Sequence, residues 1–364
     1  MRLVGIVVFA LAGIGGGSGY EPRPPRTQAA EWKLVLERTI SPPVGSAGEL
    51  AQPYDLGVTG KGQITVLDRV TPGVLIFAPD GRLERVLGAR GAGPGEFSVF
   101  ALMDVRGDTV VVYDDGRLIL WRADGSNLKQ WRTPTCTCGE GPLIDRQGDI
   151  WTPVAVRVLG APRQAMVRWS AATITRDTII LPVIDSDHAW LRFKNGGMHR
   201  LPFGAMRQGT FDSRMRYVQG SGVTNELVVT SWNSDTLRRV VLNGERAAIV
   251  SRLRDSAYKQ LMQNPDAALV LKTSDIATHQ PAFLRLHADE ADNVWVERPN
   301  GRGEVDRYDV VNPDGKVIAT VKSPTEPALR NTRIVIRQGR LYRLAESPDG
   351  EPVIQVYRVI RTGI

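Results

Sequence analysis

Cysteine and histidine are scarce in this chain, at two and four in 364 residues. Cys136 and Cys138 stand one residue apart, where a mutual bridge would close a strained small ring. Three states stay open for them: reduced thiols in a loop, a labile Cys136–Cys138 bridge, or a redox or metal role. Two thiolates without a neighbouring Cys or His make a poor metal signature. Among His188, His199, His279 and His287 no pair has the i, i+2 or i, i+4 spacing of a local ligand set. No G-x-S-x-G elbow occurs, so that form of nucleophilic serine is missing. Runs of five basic residues are absent as well. The 38 Arg and 8 Lys lie scattered at a net charge of +7, which describes a solvated Arg-rich surface and speaks against a nucleic-acid partner.

Apolar runs long enough for a comfortable membrane span are also missing. The stretch at 3–14 follows Arg2 and gives way to small residues at 15–19, which is the pattern of a secretory signal. Gly17 and Gly19 fit the −3 and −1 positions of a cleavage site, with Thr27 and Ala29 a second choice. The expected organisation is a signal peptide at 1–19, a Pro-rich linker at 20–30 and one domain at 31–364. No Cys lies near the junction, so a lipoprotein anchor is not expected. The mature chain is expected to be secreted or periplasmic, without an integral membrane segment.

What the chain has is repetition. A short turn separates two aliphatic runs at GQITVLD from Gly62, GDTVVVYD from Gly107, GDIWTPV from Gly148, NELVVTSW from Asn225, DNVWVE from Asp292 and GRLYRLAE from Gly339. Self-similarity at such a period marks one supersecondary unit repeated. The first unit reads as four strands, near 54–58, 64–67, 74–77 and 83–87, with a tight Asp80-Gly81 turn between the last two. That turn recurs at Asp124-Gly125, Asn243-Gly244 and Asp314-Gly315, and in the third unit near 170–172. Val110 to Tyr113 and Leu118 to Trp121 are apolar at consecutive positions, as strands covered on both faces require. A closed ring of small sheets meets that requirement and protects every edge. The reading is an all-β, six-bladed β-propeller with four-stranded antiparallel blades.

Two intervals, 148–225 and 225–292, exceed the period by roughly 20 to 30 residues. The first holds an added hairpin or loop at 185–204. The second turns helical at 254–274, with Asp255 or Ser256 as a cap and a break at Asn264-Pro265-Asp266. Insertions on a rigid ring can carry function or accumulate neutrally.

Two segments resemble a known family. GARGAGPGEF at 88–97, with the run at 68–81 ending in Pro79-Asp80-Gly81, resembles the NHL type of six-bladed repeat, in which GPGEF joins one blade to the next. Residues 281–324 are similar to a late blade of secreted bacterial 6-bladed β-propellers, where a helical insertion precedes it. The remainder matches by strand pattern only. NHL-like propellers are chiefly binding platforms, with a minority of enzymes such as amidating lyases, so the resemblance implies the fold more than an activity. A phosphate loop at 88–97 would need a helix after it, and SVFALMDV reads as a strand.

In such a ring one face collects the inter-blade loops and the second-to-third-strand loops. The ligand-binding candidates there are Glu96, Phe97, Cys138, His279 and Arg330 from the former, and Asp114, Trp232 and Arg298 from the latter. Trp121, Trp151 and Trp295 read as blade packing, whereas Trp190 and Trp232 lie near loop tips where a ring could stack on a sugar or peptide. Two functions compete. The first is a non-catalytic, monomeric extracytoplasmic binding or scaffold propeller that recognises a protein, peptide or glycan through this face, with no cofactor. The second is a metal-assisted hydrolase or lyase using Ca or Zn in the axial funnel, resting on His279 and the loop carboxylates.

Closure of the ring is the most direct expectation. The sixth unit supplies strands near 334–337, 341–345 and 353–359 and then the chain ends, while an orphan strand stands at 32–40. The orphan should lie antiparallel to 353–359 as the outer strand of the last blade, with Leu34 and Leu36 buried. Deleting residues 20–41 is then expected to destabilise the whole ring, and an unchanged melting temperature in the truncated protein would contradict the closure.

Overall fold

The computed structural model describes residues 29–362, apart from 71–72, 100, 134–140, 159–160, 171–175, 183–189, 213–215, 232–233, 327 and 330–331. The predicted signal segment, nearly all of the linker and the turn at 171–172 therefore lie outside the described residues. Among the described residues the strands form six four-stranded antiparallel blades and two small two-stranded pairs. Blade 1 comprises Pro53–Val58, Ile64–Asp68, Val74–Phe77 and Leu83–Leu87, within a residue or two of the expected strands. The innermost strands of blades 6, 1, 2 and 3 adjoin in turn, as do those of 4, 5 and 6. The chain is a six-bladed propeller.

The consecutive apolar runs explain how the blades stack. In Thr109–Asp114, Val110 and Val112 pack toward blade 1 while Val111 and Tyr113 pack toward blade 3. Arg117–Arg122 splits likewise, Ile119 and Trp121 to one side and Leu118 and Leu120 to the other. Side chains alternate along a strand, so a strand wedged between two neighbours must be apolar at every position. One apolar core lies at each of the six blade interfaces.

The N-terminal strand Ala30–Ile40 closes the ring as expected, antiparallel to Pro352–Ile360 with Leu34 opposite Val359 and Ile40 opposite Ile354. Its burial differs from expectation. Leu36 is 46% exposed and Leu34 only half-buried, while Trp32 and Ile40 are buried. The inward positions are thus the two ends of the strand, and a bulge between Leu36 and Arg38 turns the middle outward. Trp32 packs 6.1 Å from Trp295 of blade 5, with the Arg361 guanidinium 5.0 Å from its own ring. Ala30 to Trp32 also pair in parallel with Ala319 to Val321, the outer strand of blade 5.

A single turn recurs between first and second strands. Thr59, Asp145, Asp212 and Asp289 each donate their amide to the carbonyl of the residue four on, and each side chain accepts that residue's amide in return. In blades 3 and 5 the second carboxylate oxygen accepts the indole N–H of Trp151 (2.7 Å) and Trp295 (3.1 Å). This pattern corrects blade 4. Its strands are Gln208–Phe211, Tyr217–Gly220, Glu226–Thr230 and Thr236–Val241. The run after Asn225 is therefore the third strand, and Asn243-Gly244 follows the fourth instead of preceding it. The equivalent of the Gly62 turn is Asp212 to Arg216, where Arg supplies no glycine signal.

Around the rim, the outer strand of one blade reaches the third-to-fourth turn of the next. Arg38 donates to the Pro79 carbonyl, Arg85 to that of Asp124 and Arg238 to that of Pro313. Gly81 and Gly315 accept this approach because a Cβ would collide with Ile40 and Val240. Between blades 5 and 6 the chain ends replace the turn, and Trp32 fills its place. Trp32→Ala is expected to cost about 3–5 kcal/mol and Leu36→Ala less than about 1 kcal/mol. Comparable losses for both in urea denaturation would contradict this division of burial.

Candidate functional site

Chain direction puts the inter-blade connections and second-to-third turns at one end of the ring, here the connection face, and the remaining turns at the other, the turn face. Glu96 and Phe97 both belong to the clasp between blades 1 and 2. Ala89–Arg90 pairs in parallel with Glu96–Phe97, and Glu96 accepts the Gly93 amide at 2.8 Å. Gly88 has φ +72, and a Cβ there would strike Phe97. Phe97 itself is buried edge-on to Trp121 at 6.3 Å. The strand Leu102–Arg106 follows where a phosphate loop would need a helix. Asp114 is buried, paired to Arg117 at 2.5 Å and accepting from the Ser98 hydroxyl. Asp68 holds the Gln52 and Val70 amides.

Blade 5 places Arg298 in the same kind of structural bond. It is buried, pairs with Asp309 at 3.2 Å and donates to Asn225 Oδ1 and to the Ala282 and Asn243 carbonyls. His279 is exposed, its Nδ1 2.9 Å from the Thr278 hydroxyl. Cys138, Trp232 and Arg330 lie outside the described residues, as does Cys136. The described strands on either side of Trp232 in sequence, Glu226–Thr230 and Thr236–Val241, are the third and fourth of blade 4 and not the second and third as expected. Among the described residues, no group of three or more His, Cys, Asp or Glu side chains is placed to hold a metal ion.

Two polar groupings near the axis were not legible in the sequence. His287 Nε2 lies 2.8 Å from Glu297 Oε1, both buried within blade 5. Arg333, just before the first strand of blade 6, reaches Asp55 at 2.7 Å and Asp104 at 3.2 Å and donates to the Leu56 and Met103 carbonyls. Asp55 accepts the Met103 amide and Asp104 the Ile144 amide, so blades 6, 1, 2 and 3 are tied through their inner strands. Arg333 stands more than two hundred positions from Asp55 and Asp104, and only the closed ring brings them together.

The two insertions form one lobe. Trp190–Arg192 pairs with Met198–Arg200 as a hairpin, and Leu191 and Leu201 pack with Leu261, Ala267, Leu271 and Ile276 of the second insertion in a separate apolar core. The helix Ser251–Leu261 starts earlier than expected, with Val250 at its cap and no side-chain bond there. Asn264 caps the second helix, Pro265–Ala268, accepting the Asp266 and Ala267 amides. Both insertions are connections into or out of blade 4, so the lobe stands on the connection face. Burying Leu191 turns its neighbours outward: Trp190 (47% exposed), Met198 (55%), Arg192 and Arg200 share the free face of the hairpin. Residues 190–204 carry Arg192, Lys194 and Arg200 and no acid.

Comparisons with known proteins agree with the ring. A family model described as a 6-bladed beta-propeller matches residues 49–141. No curated protein matches the chain. Among solved structures, a DUF4221-family protein from Bacteroides vulgatus is 12% identical, covering 92% of this chain and 100% of its own, with a TM-score of 0.52. A protein of Bacteroides fragilis is 11% identical, with 90% and 95% covered and a TM-score of 0.50. Virginiamycin B lyase from Staphylococcus aureus is 10% identical, with 90% and 99% covered, but its TM-score of 0.46 carries no argument about activity. Likeness at these identities is one of fold.

Burial holds the Asp55 carboxyl above the ordinary aspartate value, opposed by the Arg333 charge and the Met103 and Leu56 amides. A folded pKa above the unfolded one means that ionisation costs stability. That cost is absent below the unfolded value, grows as pH rises to the folded one, and then persists. Removing Arg333 enlarges it. Arg333→Gln is therefore expected to lose about 3–5 kcal/mol at neutral pH and clearly less near the ordinary aspartate pKa. Equal losses in denaturant melts at both pH values would refute the assignment.

Proposed function

We infer that this protein is a non-catalytic binding propeller that engages an acidic protein or peptide segment through the lobe on its connection face. The observation that carries this reading is the outward face of the hairpin, where Trp190 and Met198 alternate with Arg192 and Arg200 above a dedicated apolar core. The six blade interfaces are complete without the lobe, so ring closure gives no reason to maintain it. Half-exposed Trp, Met and Arg are the residue types that carry binding energy when a partner desolvates them. Charge selects the partner's sign. The described lobe adds Arg252, Arg254, Lys259 and Lys272 to the three hairpin cations, against Asp255, Asp266 and Asp275. Asp266 is engaged by Asn195 and Asp275 by the Lys272 amide.

The loop carboxylates of the competing hydrolase reading, Asp68 and Asp114, are occupied by backbone amides, Ser98 and Arg117, which favours recognition over metal chemistry. Export is consistent with the Arg2-led apolar stretch at 3–14, and no helix among the described residues is long and apolar enough to cross a membrane.

A fluorescent Glu/Asp-rich peptide containing Tyr is expected to bind the purified protein with an affinity that falls as salt rises. Trp190→Ala combined with Arg200→Glu should weaken it at least about tenfold, roughly 1.4 kcal/mol, without lowering the melting temperature. Undiminished binding by the variant, or equal binding of basic and neutral control peptides, would overturn the reading.

A further inference from the structure

The opposite end of the axis carries two arginines in equivalent places. Arg106 is the last residue of the first strand in blade 2, Leu102–Arg106, and Arg337 the last residue of the first strand in blade 6, Val335–Arg337. Between them, blade 1 offers the buried, uncharged Thr59, whose hydroxyl is engaged by Gln63. The three turns are tied together: Gln338 Nε2 donates to the Gly60 carbonyl at 2.8 Å, and the Gly60 amide to the Gly107 carbonyl at 2.7 Å. Gly107 and Gln338 both have positive φ, +57 and +51, so each chain reverses immediately after its arginine.

Alternation sets the direction of the side chains. Thr332, Ile334 and Ile336 are buried while Arg333, Val335 and Arg337 are half-buried, so Arg333, just before the strand, shares a side with Val335 and Arg337 within it, and from there it reaches Asp55 and Asp104. Asp104 and Arg106 likewise share a side. The Arg333–Asp104 pair therefore forms one level along the axis, and Arg337 with Arg106 forms the next level toward the turn face. The upper level is neutralised by its own ion pairs, whereas at the lower one Asp104 and Asp145 act on Arg106 without forming an ion pair with it. The Arg337 side chain has no hydrogen bond or ion pair among the described residues, and that of Arg106 only a 3.5 Å hydrogen bond to the Ile144 carbonyl. Arg106 is half-buried, and burial and then the Arg337 charge hold its pKa below the ordinary value.

The nearby carboxylates are already occupied. Asp104 is held by Arg333 and the Ile144 amide. Asp145 is held by the Gln147 and Asp149 amides and the Trp151 indole. Asp108 pairs with Lys61 and Arg122. Arg146 adds a further cation to this neighbourhood.

We propose that Arg106 and Arg337 form an anion site at the turn-face end of the axis, accepting the oxyanion group, carboxylate or phosphate, of a small ligand. Two guanidinium groups at one level, neither held by an ion pair, suit an oxyanion, which accepts from such planar forks. The site is separate from the lobe and does not depend on the function assigned to it.

The test is thermal unfolding with inorganic phosphate or succinate, against chloride at matched ionic strength. Wild-type protein is expected to gain a saturable rise in melting temperature with at least one of the two oxyanions, and the responding arm identifies the class. Arg106→Gln and Arg337→Gln should each raise the apparent dissociation constant at least tenfold. Without anion they should melt at or above the wild-type temperature, since like-charge repulsion is relieved. Arg122→Gln, on the same face but paired with Asp108, should respond as wild type. No response beyond chloride in the wild type, or wild-type responses from both axial variants, would overturn the proposal.

Discussion

The whole ring rests on one non-covalent seam. Five blades are each built from contiguous chain, but the sixth borrows its outer strand from the other terminus, so the last sheet exists only when Ala30–Ile40 docks on Pro352–Ile360. An undocked seam would leave an open strand edge and unpack the apolar cores on both sides of blade 6. Trp32 is the residue best placed to prevent this, because it joins the core between blades 5 and 6 while its backbone pairs with Val321 in the outer strand of blade 5 and its neighbour Lys33 pairs with Ile360 in the third strand of blade 6. The stacked Arg361 and the bond from Thr362 to the Glu31 carbonyl then hold the end of the chain against its beginning.

Much of this architecture is legible in the residues. Consecutive apolar runs gave away strands covered on both faces, and Asp-Gly turns set the blade period. Blade 4 was displaced by one strand because Asn225 before an aliphatic run imitates the repeat, while the true turn, Asp212 to Arg216, lacks a glycine. Its signal was available in another form: an oxygen-bearing residue five positions before the start of the second strand, shared with Thr59, Asp145 and Asp289. Side-chain burial in the closing strand was harder to read, since a bulge breaks the alternation on which such reading depends.

Local pattern could not reveal the polar contacts at the axis. Arg333, Asp55 and Asp104 carry no motif, and their juxtaposition follows only from closing the circle. The lobe was half legible: each insertion announced itself by its length, but nothing in either indicated that the other supplies its core. Function was less legible still, because charged residues of similar appearance have opposite roles. Arg298 is consumed by the scaffold, whereas Arg192 and Arg200 are left to solvent.

The arginine contacts at the rim all point the same way. Each observed one runs from an outer strand to the turn of the blade that follows it, never back to the one before. The circle thus has a sense of rotation in its bonding as well as in its chain path. Blade 1, if it loosened, would lose one bond on each side, as acceptor to its predecessor's arginine and as donor to its successor's turn. The terminal seam is joined differently: a docked tryptophan stands in for the missing turn, so apolar packing holds there what a charged hydrogen bond holds at the other three joints.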